Sequence, residues 1–503
     1  MKIPEEKIRQ CSIALYGYLR KAALEDKDRA YLVTDKKTFT YGEAFAVVNG
    51  LAADLAARRI KKGDIVAVRA VRCPETVFIS LAMSALGAVA VLTDPHFGVR
   101  EYIAQSGVDI APRYYISDET GEWRVEAGSG SEGAALSFRA DGGAAEPTTD
   151  ISPDDPFMVI FTSGSTGKSK AVVLSHKNCI SNPADAMPLF EEDKNDVAIS
   201  LLPLNHVFGF AVIACATFCG HPVVFPEDLS VDGILKTIQK YGVSVIYSVP
   251  TLFLDMLADG RHKSYDISSL RLGLMAGGPF TADQMRYIEG ELGLRLMPGY
   301  GMSECVGVST MRYRDGVEER AAGVGRLYPM TEAFILDENG AEVGIGAEGE
   351  ICVRGMTLFL GYYNDEEATR AVVDSEGRLH TGDLGYMDGN GILHVSGRKK
   401  DIIIRGGENI SAGKIENALL SLPDVYQAAV VGVKDDRFGE VPCAAVIPVR
   451  GCSPDESSLK KALAGALSGH EIPERIIVTD VFPKTSSGKT DKLKIKEMFA
   501  WKA

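Results

Sequence analysis

The residues most suited to chemistry lie at positions 162–170. They follow an apolar run, 157–161, that predicts a buried strand, and they include two glycines, five hydroxyl-bearing residues and two lysines. Glycines let backbone N–H groups approach a phosphate, hydroxyls add donors, and lysines supply charge. The segment is not a Walker A loop, because position 162 is Thr where that motif has Gly. The phosphate-binding loop that we predict, in place of a flexible polar turn, contains Thr162, Ser163, Gly164, Ser165, Thr166, Gly167 and Lys170.

Two later strands are each predicted to end in a glycine-rich turn. Residues 271–275 lead into Gly277 and Gly278, and residues 294–297 lead into the segment 299–304, Gly-Tyr-Gly-Met-Ser-Glu. In open parallel sheets, ligands bind at the carboxyl ends of the strands. The glycine pair would admit a flat base, the tyrosine offers a stacking face, and the acid could hold a divalent cation through oxygen. A pair of tight glycine turns without a ligand is the alternative, which these residues alone leave open.

Residues 197–226 contain no Asp, Glu, Lys or Arg, so the run is long enough in principle to span a membrane. Prolines, glycines, Asn205 and two histidines interrupt it, which favours buried core elements around a pocket over a membrane span. His206 lies in this run. It is either a core histidine or a residue that positions an organic acid in that pocket.

A basic cluster follows Asp383, between positions 397 and 409. An acid beside a cluster that includes Arg398 suits ribose hydroxyls and a phosphate, and a solvated turn is the alternative. Lys489 lies in a small, hydroxyl-rich segment and by itself is typical of an exposed terminal lysine. Residues 344–349 match G-x-G-x-x-G, but a predicted strand follows instead of a helix, so we predict a turn there.

The composition excludes several classes of protein. With 54 basic and 68 acidic residues among 503, the formal charge is −14, which disfavours general nucleic-acid binding. Nine scattered cysteines form no C-x-x-C pair, so we expect neither a disulfide framework nor a zinc motif. No apolar signal core occurs near Met1, and these observations together predict a cytoplasmic protein.

Helix and strand patterns alternate along most of the chain, which predicts an α/β protein with largely parallel sheets. Thr40 and Glu43 have the spacing of a capping box before a helix. Residues 127–155 are typical of a loop, and past residue 330 short apolar runs between turns indicate antiparallel hairpins. From about residue 400 a small α+β unit is expected, with a helix over 414–422.

In this order, the motifs resemble those of the adenylate-forming superfamily, which includes acyl-CoA synthetases, peptide-synthetase adenylation domains and firefly luciferase. The resemblance spans nearly the whole chain. It implies a large N-terminal domain over residues 1–398, with parallel-rich sheets flanked by helices and an antiparallel β-barrel-like subdomain. It also implies a small, mobile α+β domain over residues 399–503, hinged near Lys400.

The resemblance further implies two half-reactions. A carboxylate attacks the α-phosphate of Mg·ATP, which gives acyl-AMP and pyrophosphate, and a thiol, usually of coenzyme A, then displaces AMP. For the nucleotide, the resemblance implies that residues 162–170 hold the β- and γ-phosphates and that Gly277, Gly278 and Tyr300 contact adenine. Ser303, in the same turn as Gly301, would contact phosphate, and Glu304 would support Mg²⁺. Asp383 and Arg398 would hold the ribose.

The resemblance also implies roles on the acid and thiol side. His206 would gate or contact the carboxylate, and Lys489 would bridge carboxylate and α-phosphate during adenylation. Rotation at Lys400 would withdraw Lys489 and bring the turn at Gly407 to the thiol channel. Where the family often has proline and glutamate after this turn, the chain has 411–414, Ser-Ala-Gly-Lys, and the thiol-side contacts depend on that segment.

Several functions fit this resemblance. A ligase that joins a fatty or other apolar acid to coenzyme A is favoured by the segments 203–209 and 405–410. A stand-alone adenylation enzyme that loads an aryl or other acid onto a carrier-protein phosphopantetheine is the main alternative. A luciferase-like oxygenase and an inactive nucleotide-binding protein are further alternatives. The expected partners are therefore a small carboxylic acid and coenzyme A or a carrier protein, with no nucleic acid, no transmembrane segment, and either a monomer or a homodimer.

Overall fold

The computed structural model describes residues 5–118, 121–128, 133–140, 144–163, 169–258, 260–484 and 490–499. The helices within these ranges are α1 (Glu5–Gln10), α2 (Leu15–Glu25), α3 (Tyr41–Ala57), α4 (Pro74–Leu86), α5 (Val99–Ser106), α6 (His176–Phe190), α7 (Val207–Cys219), α8 (Val231–Tyr241), α9 (Pro250–Leu257), α10 (Ala282–Leu292), α11 (Val317–Arg320), α12 (Glu366–Val372), α13 (Ala412–Leu420), α14 (Glu456–Leu463) and α15 (Lys492–Glu497).

The strands within the same ranges are β1 (Ala30–Val33), β2 (Thr38–Thr40), β3 (Ile65–Arg69), β4 (Val89–Thr93), β5 (Tyr114–Ser117), β6 (Arg124–Ala127), β7 (Ala134–Ala135), β8 (Pro156–Ser163), β9 (Ser169–Ser175), β10 (Ala198–Ile199), β11 (Val223–Val224), β12 (Val245–Ser248), β13 (Leu272–Ala276), β14 (Arg295–Met302), β15 (Cys305–Thr310), β16 (Arg326–Leu327), β17 (Thr331–Leu336), β18 (Gly349–Gly355), β19 (Gly361–Tyr362), β20 (Leu379–Met387), β21 (Leu393–Arg398), β22 (Ile402–Arg405), β23 (Glu408–Ser411), β24 (Val425–Asp435), β25 (Gly439–Pro448) and β26 (Arg475–Val478).

These strands form four sheets in the described part of the chain. Sheet A has the order β16-β15-β14-β13-β12-β10-β11-β1-β2, and sheet B has the order β19-β9-β8-β4-β3-β5-β6-β7. The centres of both sheets are parallel, from β14 to β1 in sheet A and from β8 to β5 in sheet B, with antiparallel strands at the edges. This mixed α/β arrangement confirms the predicted fold class.

The other two sheets are smaller. Sheet C is antiparallel throughout, with the order β17-β18-β20-β21, and corresponds to the hairpins predicted past residue 330. Sheet D contains β23-β22-β25-β24, with β26 parallel to β25, and with α13–α15 it forms the small C-terminal α+β unit. The 344–349 segment is a turn before β18, as predicted.

Local capping explains two helix starts. Helix α3 begins after Thr40, whose hydroxyl accepts from the Glu43 N–H while Glu43 Oε2 accepts from the Thr40 N–H, so the predicted capping box is confirmed. Helix α13 begins two residues before the predicted start at 414, because the Ser411 side chain caps it by accepting from the Lys414 N–H.

Polar contacts join the small unit to the rest of the chain at two places within the described ranges. The Ser411 hydroxyl donates to the Ser396 carbonyl at 2.9 Å, next to the chain connection. Farther away, the Tyr426 hydroxyl on β24 donates to the Asp255 carboxylate on α9. The first turn of α9 lies against Gly278, because a Cβ built on that glycine would be 3.5 Å from Pro250 Cδ. The small unit therefore contacts an element that borders the candidate site.

A buried ion pair anchors β14. Arg320 is 3% exposed, and its Nη2 contacts both carboxylate oxygens of Glu289 at 2.6 and 2.7 Å. Glu289 Oε1 also accepts from the Leu296 N–H at 2.7 Å, and Arg320 Nε donates to the Leu296 carbonyl at 3.1 Å. The pair thus fixes the start of the strand whose far end carries the Gly-Tyr-Gly-Met-Ser-Glu segment.

No helix in the described ranges is both long and apolar enough to cross a membrane.

We predict that Glu289→Ala will lower the free energy of unfolding by about 3–5 kcal/mol, because it leaves a buried guanidinium without its counter-charge. Chemical denaturation followed by intrinsic fluorescence measures this. Glu318→Ala is the matched control, since Glu318 pairs with Arg286 at the surface, where its side chain is 74% exposed. Equal, small shifts for both variants would contradict the anchoring role.

Candidate active site

The two glycine-rich turns lie side by side at one edge of sheet A. Strands β13 and β14 are adjacent and parallel, with Ala276 opposite Gly299, so their carboxyl ends open on the same side. Gly277 has a φ of +81°, in the left-handed region that favours glycine. At Gly301 a Cβ would lie 3.1 Å from the Gly307 Cα, so the following hairpin leaves little room for a side chain there. The predicted juxtaposition of the two turns is therefore present.

Strands β14 and β15 form a hairpin whose two turn residues are Ser303 and Glu304. Met302 pairs with Cys305 across it. Glu304 is 7% exposed, and its Oε1 accepts a hydrogen bond of 2.7 Å from the hydroxyl of Tyr362 on β19. The Glu304 backbone carbonyl accepts from the Phe359 N–H at 2.8 Å. This hairpin is therefore tied to the edge of sheet B.

The predicted phosphate segment joins the same region. Thr162 on β8 pairs with Lys170 on β9, and β9 pairs in turn with β19, where Tyr362 lies opposite Val172. Lys170 Nζ lies 4.5 Å from the centroid of the Tyr362 ring, a cation–π contact. One tyrosine thus contacts both groups: its ring lies beside a lysine of the phosphate segment, and its hydroxyl donates to the candidate metal carboxylate.

A second tyrosine–carboxylate pair involves β14, the first strand of the same hairpin. The Tyr300 hydroxyl, on β14, donates to Asp383 Oδ2 at 2.7 Å. Asp383 Oδ1 accepts from Arg398 Nε at 2.9 Å, and the two residues are cross-strand neighbours on β20 and β21. Asp383 is 4% exposed, whereas the Arg398 side chain is 49% exposed and can reach a ligand. Three of the predicted nucleotide residues therefore form one connected group.

Both tyrosines remain protonated donors over a wide pH range. Burial, followed by the charge of the neighbouring carboxylate, raises the pKa of Tyr300 and of Tyr362 well above the usual phenol range. The hydroxyls can therefore donate to Asp383 and Glu304 at neutral and moderately alkaline pH.

His206 lies at the N-terminus of α7, and its backbone N–H donates to the Pro203 carbonyl at 3.2 Å. Nearby, the rings of Phe208 and Tyr247 meet edge to face, 6.4 Å apart. The Tyr247 hydroxyl donates to the buried Glu192 carboxylate, whose other oxygen lies 2.7 Å from His221 Nε2. This region is therefore apolar and aromatic, and the Glu192 carboxylate behind it is already partnered.

The predicted hinge and thiol-side residues lie apart from these pairs. Lys400 is exposed in the single turn Lys399–Asp401 between sheets C and D. Gly407, with a φ of +91°, lies in the exposed turn between β22 and β23. Arg405, beside that turn, contacts Glu474 within the small unit at 3.0 Å. Gly164, Ser165, Thr166, Gly167 and Lys489 lie outside the described residues, and Ser163 is described only as part of β8.

One group of possible metal-ligand atoms was not predicted from the sequence. Glu350, Cys352 and His380 offer three such atoms within 4.8 Å of one another, although their spacing matches no zinc motif. The Lys399 ammonium lies 3.2 Å from Glu350 Oε2 and opposes a second cation there. We therefore interpret the group as an ionic network.

Sequence reasoning missed two supporting residues. Tyr362 contacts the carboxylate of Glu304, and Glu350 contacts the backbone of Gly382, next to Asp383. Tyr362 is separated from Glu304 by 58 residues and Glu350 from Gly382 by 32, and neither carries a local motif. The Gly361-Tyr362 pair, which follows the apolar residues 358–360, was the one available signal, and it indicates only a short strand.

Comparisons with known proteins identify the family of the chain. The family model described as "AMP-binding enzyme" matches residues 19–363, and its companion, "AMP-binding enzyme C-terminal domain", matches residues 414–489. The chain therefore belongs to the AMP-binding enzyme family, within the adenylate-forming superfamily that its motifs indicated.

Individual relatives cover nearly the whole chain. A feruloyl-CoA synthase of an Amycolatopsis species is 32% identical over 471 residues, which is 92% of this chain and 94% of that protein. The indoleacetate–CoA ligase of Aromatoleum aromaticum (strain DSM 19018 / LMG 30748 / EbN1) is 30% identical over 485 residues, 93% and 94% of the two chains. The crystal structure of ATP-bound MatB from Rhodopseudomonas palustris has a TM-score of 0.85 at 26% identity, with 97% and 99% covered.

The chain is accordingly an AMP-forming acid–thiol ligase of the acyl-CoA synthetase class. Enzymes of this class activate a carboxylic acid with ATP through an acyl-adenylate and transfer the acyl group to coenzyme A. The predicted family and enzyme class are confirmed.

We predict that Tyr362→Phe will lower kcat/KM for ATP on the order of tenfold, because a buried Glu304 oxygen then lacks its donor. Acid-dependent pyrophosphate release at varied ATP measures this. The neighbouring Tyr363→Phe is the control, since Tyr363 packs in an apolar cluster with Tyr102 and Val173. A similar loss in both variants would contradict the assigned role of the hydroxyl.

Proposed function

We propose that this ligase activates a fatty or other apolar carboxylic acid to acyl-AMP, with release of pyrophosphate, and transfers the acyl group to coenzyme A. The observation that carries the proposal is the convergence of two tyrosine-held carboxylates, Glu304 and Asp383, on one glycine-rich hairpin beside Lys170. Phosphoryl chemistry depends mainly on positioning and charge neutralisation, which this arrangement suits.

The nucleotide occupies the carboxyl edge of sheet A. Gly277 and Gly278 leave their backbone open to the adenine, and Tyr300 flanks it. The carboxylate of Asp383 accepts from ribose hydroxyls, and the half-exposed Arg398 holds it in place and reaches the same sugar. The phosphate end lies toward the 162–170 segment and Ser303, where Lys170 supplies local positive charge in a chain whose net charge is −14.

Glu304 also fits a magnesium ion. Its buried carboxylate provides hard oxygen ligands. Oε1 accepts from a neutral phenol, and within the described part of the chain Glu304 forms no ion pair. When bound, Mg²⁺ would neutralise phosphate charge. The Tyr362 hydroxyl orients the carboxylate for it, and the Tyr362 ring contacts the Lys170 ammonium.

The acid lies beside α7. Phe208 and Tyr247 supply an aromatic wall, and the absence of charged residues from 197–226 disfavours a substrate with a second charge. His206, at the entrance to α7, contacts or gates the carboxylate. Chain length is set by small differences, since one methylene changes binding by only about 1–3 kcal/mol.

The second half-reaction uses the small unit. Residues 1–398 form the adenylation domain and residues 399–503 a mobile domain that rotates at Lys400, which lies in the short turn between sheets C and D. Rotation exchanges Lys489, which bridges the carboxylate and the α-phosphate, for the Arg405-Gly406-Gly407 turn at the thiol channel. The exposed, positive-φ glycines of that turn leave its backbone open to a thiol substrate.

The test is pyrophosphate release from Mg·ATP across a panel of acids, with and without coenzyme A. The panel runs from acetate through long-chain fatty acids to benzoate and hydroxybenzoates. We expect one class of apolar acid to support release, with multiple turnovers only when coenzyme A is present. Adenylation that coenzyme A cannot discharge would replace this proposal by transfer to a carrier-protein phosphopantetheine, and silence across the panel would contradict the acid class.

We predict that Lys489→Ala will abolish adenylation and spare thioester formation from supplied acyl-AMP, because the lysine acts in the first half-reaction only. The two half-reactions are measured separately, as pyrophosphate release and as acyl-CoA formation. Lys494→Ala is the control, since Lys494 is a 60% exposed lysine on the adjacent helix α15. Equal loss of both half-reactions in Lys489→Ala would refute the domain rotation.

A further inference from the structure

A β-bulge places Asp383 in the site. In the pairing of β18 with β20, Glu350 lies opposite Leu384 and Cys352 opposite His380, so residues 381–383 face the single residue 351. Bulges of this kind bend a strand and redirect a side chain. Within the bulge, Gly382 has a φ of +71°, and the Thr381 hydroxyl donates to the Ile351 carbonyl at 2.7 Å. The direction of the Asp383 carboxylate therefore depends on the shape of this bulge.

The side chain of Glu350 contacts the backbone of the bulge. Its Oε1 accepts from the Gly382 N–H at 3.2 Å, next to Asp383. Its Oε2 lies 3.2 Å from Lys399 Nζ, next to Arg398. One carboxylate thus contacts the chain neighbours of both members of the Asp383–Arg398 pair.

The environment keeps Glu350 charged. Its side chain is only 13% exposed, and burial raises its pKa, but hydrogen bonds to His380 and Lys399 outweigh burial and lower the pKa overall. His380 Nδ1 lies 3.2 Å from Glu350 Oε2, and Asp374 lies 3.5 Å from the other ring nitrogen. A charged carboxylate with these partners is a stronger acceptor for the Gly382 N–H than a neutral group.

We propose that Glu350 is a positioning residue for nucleotide recognition: through Gly382 and Lys399 it sets the geometry with which Asp383 and Arg398 bind the ribose. This inference rests on the proposed function, because it takes the ribose as the ligand of that pair. Glu350 acts through the backbone and through Lys399, and it does not touch the substrate.

The test compares ATP with 2′-deoxyATP and 3′-deoxyATP as substrates of the full-length enzyme. Four variants are measured: Glu350→Ala, Glu350→Gln, Asp383→Asn and, as a control, Glu348→Ala, which removes an exposed acid two residues away. The readouts are kcat/KM for each nucleotide and KM for the acid. Discrimination against the deoxynucleotides reports ribose recognition, which a general loss of stability would not alter.

We expect Asp383→Asn to abolish most of the discrimination and Glu350→Ala to reduce it about tenfold, mainly through a higher KM for ATP and with the KM for the acid unchanged. Glu350→Gln keeps an acceptor for the Gly382 N–H and should restore part of the discrimination, and Glu348→Ala should match the wild type. If Glu350→Ala does not fold, Lys399→Ala tests the same network from its exposed side, with a smaller loss expected.

Two results would overturn the inference. One contradicts only the role of Glu350, and the other contradicts the ribose assignment as well. Unchanged discrimination in Glu350→Ala, with a clear loss in Asp383→Asn, would leave the ribose assignment intact and make Glu350 a structural residue only. Unchanged discrimination in Asp383→Asn would remove the ribose assignment itself and, with it, the role of Glu350.

Discussion

The candidate site depends on two buried carboxylates, each held by the hydroxyl of a tyrosine from another sheet. Burying a carboxylate is unfavourable unless it is hydrogen-bonded or paired, so each of these groups requires a partner supplied by the fold. Glu304 on sheet A receives the Tyr362 hydroxyl from sheet B, and Asp383 on sheet C receives the Tyr300 hydroxyl from sheet A. The β14–β15 hairpin is therefore the point at which three sheets are joined.

In the proposed function, this junction is where an acidic protein accepts a polyanionic nucleotide. The cations Lys170 and Arg398 lie beside the two carboxylates and supply local positive charge, against the net charge of −14. The tyrosines stay neutral because burial and the carboxylates raise their pKa values, so they orient the acids without cancelling their charge. We propose that Glu304 and Asp383 then act as acceptors for a metal ion and for sugar hydroxyls.

Features that depend on residues close together in the chain could be predicted from the sequence. The buried strand that includes residues 157–161, the glycine turns at two strand ends and the Thr40–Glu43 capping box all follow from spacing within a few residues. Tyr362, Glu350 and the bulge at Thr381–Asp383 could not be found in this way, because each depends on pairing between distant strands. The start of α13 was misplaced by two residues because the Ser411 cap was not recognised.

In the proposed function, the substrate carboxylate attacks the α-phosphate of ATP at this junction. Transfer of ¹⁸O tests that step directly: the acid that turns over is labelled in its carboxylate, and the AMP released on thioester formation is analysed by mass spectrometry. We predict one ¹⁸O atom in the phosphate of AMP for each acyl-CoA formed. Unlabelled AMP would contradict the adenylate, and with it the central claim for this site.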